Sequence, residues 1–545
     1  MKIEIIDGEL LKNSLKAGAA LLEKNKEEVN SLNVFPVPDG DTGTNMYLTI
    51  KSAVKLSQGA SGDDAYMVAL AASQGSLMGA RGNSGVILSQ LFRGFAAGLK
   101  GKTEVDVQAL AQGFKQAAET AYKAVMKPTE GTILTVAREI GEIAISLSKK
   151  EKDILRFLEK VIDHGNKTLE RTPDMLPVLK QAGVVDAGGK GLMFIIIGMY
   201  NSLAGIEDYD EPVDLIDVPE HVHREPIDTD NIEFGYCTEF MIAGNSDTMD
   251  EFRGDLSQHG DSLLVVGGDG IIKVHIHTNN PGLVLEKALA LGELRDIKID
   301  NMRFQHEEVL LKEELKAMET DTKKEPTKEY SFVAVSLGEG IDEVFKELQV
   351  DYLVHGGQTM NPSTEDILKA IESTEGRNVF VLPNNKNIIL AAEQTKELTD
   401  RNVVVLPTRS IPEGIGALLA FDEGASLEDN IENMKENIGH ILTGQVTFAV
   451  RDSEIKDKEI AKDDIIGLAN GEIVVAGKDI NEVSLDLVEG MINDDISIVT
   501  IFYGNEIEKE KAEELAEILE EKYGDLDIEL LFGGQPLYYY IFSLE

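Results

Sequence analysis

The sequence predicts a multidomain chain: an all-α helical bundle or barrel over residues 1–205, a small α/β middle domain over 232–314, and a larger α/β domain over 329–545. Three observations carry this expectation. Apolar residues in the first 205 positions recur with the period of a helix; after 232 they shift to short strand-like runs about Gly turns; after 329 strands alternate with helical stretches. Two segments without periodicity separate these regions, 206–231 with its acid-flanked prolines and the charged stretch near 315–328. Both are linkers by composition, so the three domains are expected to move relative to one another.

Taken in order, Leu11, Leu15, Gly18, Leu22 and Val29 trace a first helical stripe. Segments 43–57, 63–78, 84–99, 103–126, 131–148, 151–170 and 186–204 share its period, for a bundle of about eight helices with functional loops at one end. Their Ala- and Gly-rich faces let helices approach closely. In the middle domain 234–244 reads as a strand, 261–282 as two strands about a Gly-Asp-Gly turn, and 282–292 as a helix. Beyond 329, strands at 330–336, 350–354, 378–382 and 402–406 with intervening helices predict a parallel, layered sheet. A later block, 440–545, repeats strand and helix patterns. The tripeptide GGQ follows a strand in both HGGQTMNPSTEDIL (355–368) and LFGGQPLYYYIF (531–542), which predicts two related halves with ligand sites at strand carboxyl ends. No acid–base pair stands out there, so this last domain reads as a binding domain.

Net charge is −45, from 97 acidic against 52 basic residues. That balance excludes nucleic acid as a partner, since its phosphates are met by Lys and Arg. A single cysteine, Cys237, excludes an internal disulfide framework and suits a reducing compartment. The N-terminus lacks the basic start and apolar block of a signal peptide, and no apolar stretch reaches the length of a membrane span. The expectation is a cytoplasmic protein that is not integral to a membrane.

The chemistry concentrates in NVFPVPDGDTGTNM (33–46). Pro36 and Pro38 hold the backbone extended ahead of Asp39 and Asp41, and Gly40 and Gly43 let it fold tightly afterwards. Two carboxylates on a stiff loop, followed by Thr42, Thr44 and Asn45, suit Mg²⁺, which takes one or two protein carboxylates and completes its shell with water and phosphate oxygens. A calcium loop counted from Asp39 would need an acid at its twelfth position, where Ile50 stands. Three more Gly-bearing loops open helices. Gly79, Gly82, Asn83, Ser84 and Gly85 precede one, Gly131 and Thr132 a second, and Asp186 with Gly188 a third. Exposed amides at helix starts form anion sites. Nothing matches the phosphate-binding GxxxxGK[ST] pattern, so ATP binding here would proceed without a P-loop.

In the middle domain His275 and His277 lie two apart on a strand and so share one face. Cys237 on a neighbouring strand would complete a His₂Cys set suited to Zn²⁺, with Glu239, Glu233, His306 or water as fourth ligand. The competing reading is a packed His pair beside a buried cysteine.

The run NVFPVPDGDTGTNM, together with GARGNSGVILSQLFRGF and the later Gly loops, resembles the nucleotide-binding subunit of bacterial fatty acid kinase; the first domain is similar to the ADP-binding subunit of the dihydroxyacetone kinases. The resemblance spans the chain in order and rests further on the Cys/His middle domain and on GGQTMNPST. It implies that Asp39 and Asp41 coordinate two Mg²⁺ bridging ATP phosphates, that loop 79–85 and Thr132 face the nucleotide, and that Cys237, His275 and His277 hold zinc. The dihydroxyacetone kinase pattern carries a third Asp where this chain has Val34, and Asn33 one residue earlier is the substitute ligand. It also implies a separate fatty-acid-binding carrier protein, whose bound fatty acid becomes an acyl phosphate, and it leaves room for a homodimer. A carboxylate acceptor is already ionised at neutral pH, so the helical domain needs no general base. The alternatives are a non-catalytic zinc- and nucleotide-binding regulator and one half of a dihydroxyacetone-type triose kinase.

Overall fold

A computed structural model of the chain describes residues 2–33, 40–60, 64–125, 127–206, 236–244, 249–256, 258–268, 271–301, 326–357, 361–455 and 458–545. It divides into two units, Met1–Ile216 with Pro326–Glu545, and Asp217–Glu325.

The N-terminal part of the first unit is helical. Its long helices are α1 (Gly8–Lys24), α3 (Thr42–Gln58), α4 (Ala65–Met78), α5 (Gly82–Gly98), α6 (Val107–Ala124), α7 (Ile133–Ser148), α8 (Ile154–Glu170) and α11 (Ala187–Ala204). Its short ones are α2 (Lys26–Ser31), α9 (Thr172–Met175) and α10 (Pro177–Ala182). The expected continuous stripe from Leu11 to Val29 is therefore broken. Asn25 ends α1 by turning its side-chain amide back onto the Leu21 carbonyl at 2.7 Å, the competition with the backbone that makes Asn a helix breaker. Leu22, Met46, Ile50, Leu88, Leu99, Ile140 and Phe157 are fully buried in one core. Each large side chain buried this way is worth about 1.5–3 kcal/mol. Small residues set the closest approaches: a Cβ on Gly98 would lie 2.8 Å from Gly113 Cα, so α5 and α6 meet backbone to backbone. Between α1, α5, α6, α7 and α11 the core leaves an apolar cavity lined by Leu15, Phe92, Phe114, Ile140 and Ile195 among others, which gives the bundle a barrel-like interior.

The helices alternate in direction, and their ends are treated differently. At one end the starts of α1, α4, α6 and α8 lie together: Ile6 pairs with Val105, Ala65 donates to the Thr103 carbonyl, and Ile154 to that of Ile3. Each of these four helices is capped by an aspartate, Asp7, Asp64, Asp106 or Asp153, whose side chain accepts a first-turn amide. Such a cap typically stabilises by about 1 kcal/mol. At the starts of α3, α5 and α7, by contrast, the N-cap residue itself makes no side-chain cap.

The C-terminal part holds two main sheets. The first is parallel and built from β1 (Lys328–Ser336), β2 (Tyr352–His355), β3 (Gly376–Leu382) and β4 (Asn402–Val405), in the order β2-β1-β3-β4. Helices α12 (Glu339–Glu347), α13 (Thr364–Ser373) and α14 (Ile389–Thr395) alternate with these strands, as the sequence pattern leads one to expect. The block after 440 differs. Its main sheet has six strands (465–469 and 472–477 beside 442–448, 540–544, 498–503 and 527–532), and only 498–503 with 527–532 run parallel. The expectation of two related halves fails at this point: GGQ follows a strand in both places, but the two sheets have different topologies. Ala80 and Val86 of the helical part belong to the same buried cluster as Val333, Val379 and Ile367, so this part and the helices share a core.

The second unit contains an antiparallel four-stranded sheet, residues 236–244, 260–268, 271–278 and 292–301, with a helix at 249–256 and another at 281–289. The strands and the later helix match the sequence expectation; the helix at 249–256 and the last strand add to it.

Candidate active site

Four helix N-termini converge on one cleft. It is lined by Thr42 at the start of α3, Asn83 and Ser84 at the start of α5, Thr132 and Ile133 at the start of α7, and Asp186, Ala187 and Gly188 at the start of α11. Asn33, Lys127 and Thr129 complete its polar wall, and Leu32, Ile87, Val125, Leu134 and Leu179 its apolar one; about 720 Å³ of space lies inside, open to solvent. Each N-terminus contributes roughly half a positive charge, so the convergence favours an anion. Seven of the residues singled out from sequence are thus brought together: Asn33, Thr42, Asn83, Ser84, Thr132, Asp186 and Gly188.

Each is held by local chemistry. Thr42 donates its hydroxyl to Asn33 Oδ1 at 2.8 Å. Thr132 stands at the N-cap of α7 but donates its hydroxyl to the Thr129 carbonyl at 2.8 Å. Asp186 caps α11 through the Gly189 amide at 2.6 Å and also accepts the Ile133 amide of α7. Burial dominates those two bonds and pushes its carboxyl up to about 6. A Cβ on Gly188 would meet Ile133 Cβ at 3.2 Å, so this glycine lets α11 and α7 start side by side.

The loop carrying Thr132 is clamped from behind. Glu130 accepts from Arg138 at 2.7 Å, from Thr135 at 2.8 Å and from Tyr122 at 3.1 Å. Burial works to raise its carboxyl, but the bonds from Thr135 and Arg138 outweigh it and hold the group below its ordinary value.

Asp41 occupies the N-cap position of α3 and makes no side-chain cap. Its carboxylate accepts the side-chain amide of Asn361 at 2.6 Å instead. The first-turn amides of α3 are met by a residue absent from the sequence expectation: Asn30 Oδ1 accepts from Gly43 at 2.8 Å and from Thr44 at 3.2 Å, and Asn30 Nδ2 donates to the Thr44 hydroxyl at 3.1 Å. A carboxylate at a helix start that leaves capping to a neighbour is directed to another task. The oxygen types offered by Asp41, by the Thr42–Asn33 pair and by Asn83, whose buried Oδ1 lacks a partner among the described residues, are those a hard cation takes.

Of the other expected residues, Thr44, Asn45, Gly79, Gly82 and Gly85 are not among those that line the cleft. Thr44 is engaged by Asn30, and Asn45 is buried under Gly82. Gly79 and Gly85 lie where a Cβ would strike Ser52 and Thr49. Gly82 has φ +56°, and a Cβ there would come 2.6 Å from Asn45 Nδ2. Asp39 lies outside the described residues. Cys237, His275 and His277 are described by backbone alone: the register sets Cys237 directly opposite His277 and Glu239 opposite His275. Their side chains lie outside the described part, and among the described residues no cluster of three or more His, Cys, Asp or Glu could hold a metal. No described helix is long and apolar enough to cross a membrane.

Lys127, Asn30 and Asn361 are the additions that sequence reasoning missed. Lys127 sits in the KPTEG stretch and could have been found as the cation beside a Gly loop; Asn30 and Asn361 carry no local signal.

Comparison with known proteins matches three family models along the chain. A DAK2 domain covers residues 36–201, the middle domain of FakA-like fatty acid kinase proteins covers 233–309, and their C-terminal domain covers 331–545. An uncharacterized protein of Staphylococcus aureus (strain MRSA252) is 44% identical over 552 residues, and protein YloV of Bacillus subtilis (strain 168) is 45% identical over 556; each match covers 100% of both chains. Among solved structures, the dihydroxyacetone kinase of C. freundii in complex with AMP-PNP and Mg²⁺ is 20% identical over 35% of this chain and 34% of its own, with a TM-score of 0.28. The Streptococcus pneumoniae fatty acid kinase B3 protein loaded with linoleic acid is 12% identical over 40% of this chain and 99% of its own, also with a TM-score of 0.28. Scores at that level leave the assignment to the three models and the full-length relatives. The chain belongs to the FakA-like fatty acid kinase family.

Proposed function

We propose that this chain is an ATP-dependent kinase component that phosphorylates a fatty acid carboxylate presented by a separate lipid-binding protein, giving acyl phosphate and ADP. The observation that carries the reading is the convergence of α3, α5, α7 and α11 on one cleft, with an aspartate at the start of α3 that does not cap its own helix. In this reading the phosphates lie against the starts of α5 and α7, near Lys127 and Ser84, and adenine lies against Ile87, Val125, Leu134 and Leu179. Asp39, Asp41, Asn33 and Thr42 would hold Mg²⁺, which when bound neutralises phosphate charge. A carboxylate oxygen of the fatty acid attacks the γ-phosphorus, the bond to the β-phosphate oxygen breaks, and ADP leaves. The acceptor is already ionised, so the chain's residues orient and neutralise without removing a proton. Incubating the full chain with ATP, Mg²⁺ and oleate, with and without a lipid-binding carrier protein, tests this. Acyl phosphate forms only with the carrier present; phosphorylation of dihydroxyacetone in its place would favour the triose kinase.

The division of labour follows the domain order. Residues 1–205 bind nucleotide, 232–314 carry zinc, and 329–545 bind the carrier, with 206–231 and 315–328 as linkers. The cross-strand pairing of Cys237 with His277, and the placement of both histidines on one face, support a zinc site. Metal analysis of the purified chain is expected to find one zinc, lost in His275→Ala; a zinc-free wild type that stays folded would point to the packed-core reading.

A further inference from the structure

The contact between Asp41 and Asn361 joins the two parts of the first unit at the start of α3. Asn361 lies between β2 (Tyr352–His355) and α13 and is 1% exposed. Its carbonyl and the residues after it are fixed against the start of α5. Arg81, at the start of α5, donates through Nη1 to the Asn361 carbonyl at 2.6 Å and reaches Asp366 at 3.5 Å. Arg81 also pairs with Ser363 as an antiparallel bridge, and Thr364 donates to the Ala80 carbonyl at 3.1 Å. Ser363 and Asp366 cap α13 reciprocally, which stiffens the loop's exit. The side chain is therefore delivered to Asp41 by backbone held at its own carbonyl and on its C-terminal side.

The amide's orientation is set by chemistry. Nδ2 must face the carboxylate, because the flipped amide would bring oxygen against oxygen. Asn361 Oδ1 is then left buried without a partner among the described residues. A buried acceptor without a donor is costly, and a water bound to a cation held by Asp41 would supply one. The bond also explains how an N-cap aspartate is kept away from its own helix: one oxygen is held by a donor from the C-terminal part of the same unit.

Resting on the reading of Asp41 as a cation ligand, we infer that Asn361 is a positioning residue. Its side-chain amide aims the Asp41 carboxylate, so docking of the C-terminal α/β part onto the starts of α3 and α5 completes the metal end of the nucleotide site. A residue that orients a metal-binding carboxylate from behind typically contributes about 10- to 100-fold to metal affinity.

The test uses the full chain saturated with ADP and titrated with Mn²⁺, following the free-ion electron paramagnetic resonance signal. Asn361→Ala is expected to weaken Mn²⁺ affinity about tenfold. Asn361→Leu, which keeps the volume and removes the donor, should do the same at an unchanged melting temperature. Arg93→Ala, which removes a contact to Glu397 at the same interface away from the cleft, is expected to bind Mn²⁺ like wild type. In turnover, the Asn361 variants should regain most of their kcat at high Mg²⁺, which a general loosening of the interface would not produce. Wild-type or tighter Mn²⁺ binding in both Asn361 variants, alongside a deficient Asp41→Ala chain, overturns this inference alone. Wild-type binding in Asp41→Ala overturns both it and the reading of Asp41.

Discussion

Asp186 ends its side chain on the amide of Gly189, 2.6 Å away at the start of α11, in surroundings that raise its carboxyl to about 6. Unfolded, the same group titrates near 3.8. The folded chain therefore binds the proton more tightly, and this group's contribution to stability falls as pH rises from about 4 to about 6. Asp186→Asn keeps a good cap and removes the charge. In the nucleotide-free chain, the variant should match wild type near pH 4 and exceed it by roughly 2–3 kcal/mol at pH 7. Urea unfolding at the two pH values measures the difference, and a gap independent of pH would rule out a perturbed Asp186.

Much of this cleft was legible because its parts are local. A Gly followed by Asn-Ser or Thr at the start of an apolar-periodic run is helix-start chemistry, which Gly82–Ser84 and Gly131–Thr132 follow, and Asp186 ahead of Gly188 is an N-cap signal of the same local kind. The long helices were legible for the same reason. Asn25 was not, since its side chain chooses the Leu21 carbonyl only once the helix exists. Asn30 and Asn361 reach α3 from 13 and 320 residues away, and no window of sequence contains such a pairing. The mixed sheet after 440 was missed because strand direction depends on distant partners, whereas GGQ reports only the end of a strand.

Gly82 combines φ +56° with a tight neighbour, Asn45 Nδ2 at 2.6 Å from an added Cβ. Gly82→Ala should lower stability by about 1–3 kcal/mol from backbone strain. It should also displace the first turn of α5 and weaken ADP binding by at least tenfold in calorimetry. Undiminished affinity would show that the start of α5 does not meet phosphate.

Arg138 holds Glu130 behind the Thr132 loop through a partly solvent-exposed ion pair. Such a pair contributes about 0–1 kcal/mol, so Arg138→Ala should unfold at nearly the wild-type urea concentration. Its effect belongs in binding: steady-state kinetics are expected to give a several-fold higher KM for ATP with kcat nearly unchanged. A lowered kcat at unchanged KM would mean that this clamp acts on chemistry.

In the proposed function Asp41 serves phosphoryl transfer to a carboxylate. Acyl phosphate can be trapped by hydroxylamine as the hydroxamate and counted against ADP released. With ATP, Mg²⁺ and carrier-bound oleate, wild type should form one hydroxamate per ADP, and Asp41→Ala should form none while its helical content and melting temperature stay near wild type. Hydroxamate formation by Asp41→Ala at the wild-type rate, or ADP release by wild type with no hydroxamate, would contradict the account.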